Sequence, residues 1–301
     1  MFTLRPRMAL CGLLASLLAT TSLAAEPVTH AFLATGAETF INDPSGKTTW
    51  KYPASTRDGW VLENGNVLLA LSKSKDYPGG GVVEVNPEGK VLFAFKGTQS
   101  EVNTVQPLGE GKVLLTEAGP KPRLLEVDRD GKVLIEVPLT AQTKDIHLQT
   151  RMSRKLANGN YLVPQLLDRV VREYDAKGKV VWEVKTPNMP FTAIRLPDGN
   201  TLIGCTHGNM VIEVDKDGKE VWRLTNDDLE GKPISDACGV QRLENGNTVF
   251  TSYRATAKQL KLIEVTRDKK IVWTYTDERK SGIHHFQILD AKGKPEKNPL
   301  R

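Results

Sequence analysis

One phrase recurs along the chain and limits what it can fold into. In "IEVDKDGKEVWRL" an Asp-rich turn closes on Gly218, and Trp222 follows four residues later. The same offset joins Gly46 to Trp50, Gly89 to Phe93, Gly131 to Ile135 and Gly178 to Trp182. In a sixth copy Lys269 replaces the glycine ahead of Trp273. The copies stand 40–51 residues apart. A second phrase, Leu-x-Asn/Asp-Gly-Asn followed by an apolar run, alternates with the first. It appears as "LENGNVLLA" from Leu62, "LGEGKVLLT" from Leu108, "LANGNYLVP" from Leu156, "LPDGNTLIG" from Leu196 and "LENGNTVFT" from Leu243, with a degenerate copy, "LDAKGKP", from Leu289.

Each phrase has the chemistry of a hairpin. Asn-Gly and Asp-Gly supply the positive φ that tight hairpin turns need, and alternating or β-branched residues flank them. A period then holds an A–B hairpin and a C–D hairpin. Four strands in about 40–50 residues is the pattern of a propeller blade. The Asp-x-Asp-Gly runs read as plain turns, because the spacing is wrong for an EF-hand loop and no closing glutamate follows. The large apolar residue of each copy falls on the outer strand, where it packs on the neighbouring sheet. The expected fold is all-β: a six-bladed propeller of four-stranded antiparallel blades. Blades start near Thr56, Ser100, Ile146, Met189 and Asp236. Residues 29–52 carry only B, C and D strands, and residues 282–294 only an A strand. Together they make the sixth blade, so the two ends of the sequence close the ring and remove its open edge.

"VIEVDKDGKEVW" and "REYDAKGKVVW" resemble the repeat of the PQQ-like propeller superfamily, and the alternation with "LPDGNTLIG" resembles its six-bladed arylsulfotransferase-type branch. The resemblance covers Thr29 to Lys294. It implies the fold strongly and an activity weakly, since these phrases are turn and packing chemistry. Quinoprotein dehydrogenases of the superfamily are longer and carry a cofactor pocket that nothing here matches, so no cofactor is expected. Bacterial arylsulfotransferases use a histidine nucleophile with supporting His and Arg, and "SGIHHFQILDAKG" resembles the strand that carries it. That resemblance puts His284 and His285 forward as candidate catalytic residues, without a full catalytic set.

Residues 1–24 read as an export signal: Arg5 and Arg7, an apolar run from Met8 to Leu18, then a small-x-small cleavage pattern ending at Ala24. The mature chain is expected to be periplasmic or secreted, with the propeller over 25–294 and a short, loose tail over 295–301. A formal charge of +5 without a basic, aromatic-interleaved run excludes a nucleic-acid binder. No second segment is apolar enough to span a bilayer. Cys205 and Cys238 could be bridged or remain separate buried thiols. No GxSxG elbow, Walker A loop or dinucleotide fingerprint stands in context.

Both turn families close on one end of the ring, here called the bottom. A-strand starts and B–C loops lie at the other end, the top, and loops on a rigid scaffold favour ligand sites. Five positions before the Leu of each A strand stand Arg57, Asn103, Arg151, Phe191, Cys238 and His284, which should converge on the ring axis. Asp58, His147, Asp236 and His285 lie close by, and Lys75, Tyr77, Arg169, His207 and Arg254 come from B–C loops. Arg57, Asp58, Asn103, His147, Arg151, His207, Asp236 and Arg254 are the candidate ligand-binding set. It suits an anionic or hydroxyl-rich small molecule, a glycan or a protein partner. Three converging imidazoles would make an open metal site, but no local ligand spacing supports one, and no metal is expected. Beside the binding reading stand two others: an arylsulfotransferase-like or hydrolase enzyme, and an assembly-factor scaffold with an exposed apolar patch on one rim.

Overall fold

A computed structural model describes Met1 and residues 28–297 and 299–301. The rest of the expected signal segment and the cleavage site at Ala24 fall outside the described residues. Six four-stranded antiparallel sheets follow one another around a ring, as the repeat requires. The inner strands are Thr56–Val61, Glu101–Pro107, Arg154–Lys155, Met189–Arg195, Val240–Arg242 and Ile283–Leu289. The last of these pairs antiparallel with Ala31–Gly36, which continues through Thr39–Asn42 to Thr48–Tyr52. The sixth blade is therefore built from the two ends of the sequence.

The turns take the form their residues dictate. In each C–D turn the first residue donates its N–H four residues on, as Asp215 does to Lys219 at 2.9 Å, and Gly218 donates back to Asp215 at 3.0 Å. Gly218 has φ +82°, a conformation that costs L-residues about 1–2 kcal/mol. In the sixth copy Lys269 takes that conformation at φ 65°. The Asp215 carboxylate accepts the N–H groups of Asp217 and Lys219 at 3.0 and 2.9 Å. The acidic residues of these runs thus cap their own turns.

The outer-strand tryptophans couple neighbouring blades. The indole N–H of Trp50 donates to Pro87 O at 3.0 Å, that of Trp182 to Lys216 O at 2.8 Å, and that of Trp222 to Arg267 O at 2.9 Å, each acceptor lying in the next blade's C–D turn. A second coupling was not anticipated. The C strands carry Glu84, Glu126, Glu173, Glu213 and Glu264 at one register position, all buried. Each pairs with a base from the adjoining blade: Arg129, Lys155, Arg195, Arg242 and His30 in turn.

Blades 3 and 5 differ from expectation. Their inner strands are shorter, because side chains take over from the ladder. Ser153 N donates to Thr104 Oγ1 at 3.1 Å, and Gly239 N to Thr251 Oγ1 at 2.9 Å. Residues 146–148 form a 3₁₀ turn rather than strand. Cys205 and Cys238 are free and buried. The tail is not loose: Arg242 N donates to Leu300 O at 2.9 Å, and Arg301 is 2 % exposed.

Candidate functional site

The inner strands explain which side chains reach the top. In four of them the register skips one residue: Arg57, Asn103, Phe191 and His284 are bulged out of their ladders. A β-bulge re-aims a side chain and commonly marks the rim of a closed sheet. In blades 3 and 5 the corresponding Arg151 and Cys238 precede the shortened strand. The bulges split the adjacent pairs: Arg57 and His284 go to the top, while Asp58 and His285 turn into the channel below.

At the top, a buried carboxylate gathers bases around it. Glu101 stands 3.3 Å from Arg57 Nη2, 3.5 Å from Lys73 Nζ and 3.2 Å from His147 Nδ1. Arg151 Nη2 donates to His147 Nε2 at 3.0 Å, so the His147 proton sits on Nδ1 and points at Glu101. Burial would raise the Glu101 carboxyl, but the His147 hydrogen bond and the Arg57 and Arg151 charges outweigh it and hold it at about 2. Arg151 is 2 % exposed and donates Nη1 to Thr150 O at 2.7 Å, while its Nε has no partner. Burial, then repulsion from Arg57, brings it down to about 9. It lies over the Phe191 ring.

His284 donates Nδ1–H to Arg57 O at 3.0 Å and meets Phe191 and Tyr253 edge-on, with centroids 4.7 and 5.4 Å away. Burial, then the charge of Arg151, lowers its pKa to about 3. It is a neutral imidazole with its lone pair on Nε2. Asn103 donates to Thr150 O at 3.1 Å and leaves Oδ1 without a partner. A second group adjoins through Tyr253, whose N–H donates to Asp236 O at 2.9 Å. There Arg254 Nε pairs with Asp236 Oδ2 at 2.5 Å, His207 N donates to Asp236 Oδ1 at 2.8 Å, and Arg254 lies 3.5 Å from His207 Nε2.

Seven of the ten candidates thus fall into two connected groups at the top: Arg57, His147, Arg151 and His284, then His207, Asp236 and Arg254. Asn103 joins the first group only through Thr150. Asp58 and His285 do not join them. Both are wholly buried in the channel, where Asp58 pairs with Arg154 at 2.9 Å and with Arg301 at 3.4 Å. His285 accepts from Arg301 through Nδ1 at 2.7 Å and has its pKa pushed well below normal by burial and the Arg301 charge. Lys75 and Arg169 are exposed, and Tyr77 is engaged by Lys96. Glu101 and Lys73 were not anticipated. Glu101 stands two residues before Asn103 in the same A strand, and that spacing was the available signal.

A cavity of about 1480 Å³ opens at the bottom, not the top, among the A–B turns, with Trp60, Gln106, Lys155, Trp182, Arg195 and Leu300 in its lining. Exposed large apolar residues fall mainly on the outer strands, one or two each on five blades, rather than in a single rim patch. Among the described residues no group of three or more His, Cys, Asp or Glu is gathered as for a metal ion, and no helix is long and apolar enough to cross a membrane.

The family model described as outer membrane protein assembly factor BamB, a PQQ-type repeat, matches residues 167–287. No curated protein matches the chain. Among solved structures, a protein of unknown function from Bacteroides caccae is similar at 22 % identity and TM-score 0.76, covering 91 % of this chain and 100 % of that one. The periplasmic gluconolactonase of Pseudomonas aeruginosa is similar at 10 % identity and TM-score 0.60, over 88 % of this chain and 100 % of that one. An inactive variant of virginiamycin B lyase from Staphylococcus aureus, solved with quinupristin, gives 13 % identity and TM-score 0.59, over 88 % and 94 %. Relatives this distant in sequence and this diverse in chemistry show the fold alone, and with the repeat match they make the chain a six-bladed propeller carrying a PQQ-like repeat.

Proposed function

We propose that the protein is an exported propeller, periplasmic or secreted, that binds a small oxyanion-bearing molecule at its top face. The observation that carries this reading is Arg151: a buried guanidinium with a vacant Nε–H, close to a second arginine, Arg57, and linked to the one nearby carboxylate, Glu101, only through His147. Arg57, Lys73, Arg151 and Arg254 face two acids, Glu101 and Asp236. A sulfate, phosphate or carboxylate group would complete that imbalance with charge-assisted hydrogen bonds. The match to an assembly-factor family supports an exported location for the repeat, but among the described residues no gathered apolar patch favours a scaffold role.

The test is calorimetric titration of inorganic sulfate and inorganic phosphate at low ionic strength. Wild type is expected to bind one of them, and Arg151→Met to bind it at least tenfold more weakly. Absence of binding by folded wild type refutes the reading.

An enzymatic version has one supporting observation. His284 is held neutral, with Nδ1–H engaged and Nε2 unprotonated, as a nucleophile next to two arginines requires. It predicts turnover of aryl sulfate or phosphate esters that His284→Ala abolishes. His285, engaged by Arg301, has no part in it.

A further inference from the structure

Below the top face, the channel holds a second built site, filled by the side chain of Arg301. Arg301 enters from the bottom. Its Nε donates to Phe286 O at 2.9 Å, and one Nη2 hydrogen bond runs to His285 Nδ1 at 2.7 Å. Nη2 also lies 3.4 Å from Asp58 Oδ1, and the guanidinium carbon sits 4.2 Å from the centroid of the Trp60 ring. Arg154 completes the clasp, donating Nε to the main-chain oxygen of Arg301 at 2.8 Å. Trp60 supplies a π face, Asp58 a wholly buried charge, and His285 and Phe286 O two in-plane acceptors. That is the recognition chemistry of a planar guanidinium, which an ammonium cannot reproduce.

Ahead of Arg301, the described tail residues are held at separate points, with Leu300 packed against the core. Pro295 bridges Leu289, Leu300 bridges Arg242, and Gln241 reaches Glu296 at 3.3 Å. These residues form one wall of the 1480 Å³ bottom cavity, which leads from solvent to Trp60. We infer that the channel floor is a receptor for an arginine side chain on an extended peptide entering from the bottom, occupied in this structure by the chain's own Arg301. Displacing the tail exposes Asp58 and His285 to a competing arginine-bearing peptide. This site stands independently of the oxyanion reading, whose residues lie at the other end.

The test begins with Arg301→Ala in the full chain. Its Tm is expected to fall below that of wild type. Arginine amide at a hundredfold excess over its Kd is expected to restore about 5 °C, while lysine amide restores nothing and wild type responds to neither. A chain ending at Lys294 is expected to bind the peptide PEKNPLR in trans, and PEKNPLK at least tenfold more weakly. Equal rescue by both amides, or no rescue by either, overturns the inference. Should Arg301→Ala fail to fold, Arg301→Lys keeps the charge and the stem. Guanidinium-specific seating requires its Tm to lie below wild type, and a Tm equal to wild type overturns the inference as well.

Discussion

Replacing Glu101 by Gln should weaken the fold and strengthen anion binding together. Glu101 is 6 % exposed, and its carboxyl falls from the ordinary 4.5 to about 2, which corresponds to ~3 kcal/mol of stability at neutral pH. That figure is an upper bound for the substitution, since glutamine keeps an acceptor for His147 Nδ1–H; a loss of ~1–3 kcal/mol in urea unfolding at pH 7 is expected. The sign follows from the direction of the shift. A depressed carboxyl contributes fully above the unfolded value near 4.5, and its contribution drains away as pH falls towards 2. The unfolding free energies of wild type and Glu101→Gln should therefore converge between about pH 4.5 and pH 2. For the ligand the same change works the other way. A unit charge removed at roughly 6 Å, with an effective dielectric constant of ~40, is worth ~1.4 kcal/mol to an incoming anion, or about tenfold in Kd. Calorimetric titration of whichever of the two oxyanions, sulfate or phosphate, wild type binds reads this directly. A stability gap that persists unchanged at pH 2.5, or binding of that anion that weakens, would refute the electrostatic account of the top face.

Trp222→Phe keeps the packing but loses the bond to Arg267 O, and should cost about 1 kcal/mol in urea unfolding. Glu213→Ala strands Arg242 and Arg267, which share that buried carboxylate, and should cost ~3 kcal/mol by the same measurement. Gly218→Ala sets a side chain at φ +82° and 3.2 Å from Val184 Cγ2; a loss of ~1–2 kcal/mol is expected. Cys205 and Cys238 are both buried, and burial pushes the Cys205 thiol up to about 12, so neither should react with a thiol reagent until the propeller is unfolded.

The blade count, the sixth blade and the turns were legible because glycine, asparagine and tryptophan fix local geometry wherever they fall. The bulges were not. Strict alternation would send Arg57 and Asp58 to opposite faces, and nothing in "STRDGWV" announces that one residue will be skipped. The placement of the positions before each Leu at the top of the ring was readable from symmetry alone, which brought Arg151 and His284 to that end. Their neighbours Asp58 and His285 were credited to the same end although the ladder resumes there and turns them inward. Arg301 was invisible for another reason: Asp58 and Arg154 lie 243 and 147 residues away in sequence, and the seven residues of PEKNPLR carry no period that would bring the chain back to them.

Because the inner strand of the sixth blade is residues 283–289 and its other three come from residues 31–52, a ribosome must deliver nearly the whole protein before the circle can shut. Until then the earliest strands wait with one raw hydrogen-bonding edge, and the fifth sheet waits with an uncovered apolar face, since Val249, Leu262 and Tyr275 pack on Phe32, Phe40 and Phe286. Any route that keeps the chain unfolded until its last strand is available would postpone that exposure until both partners are present.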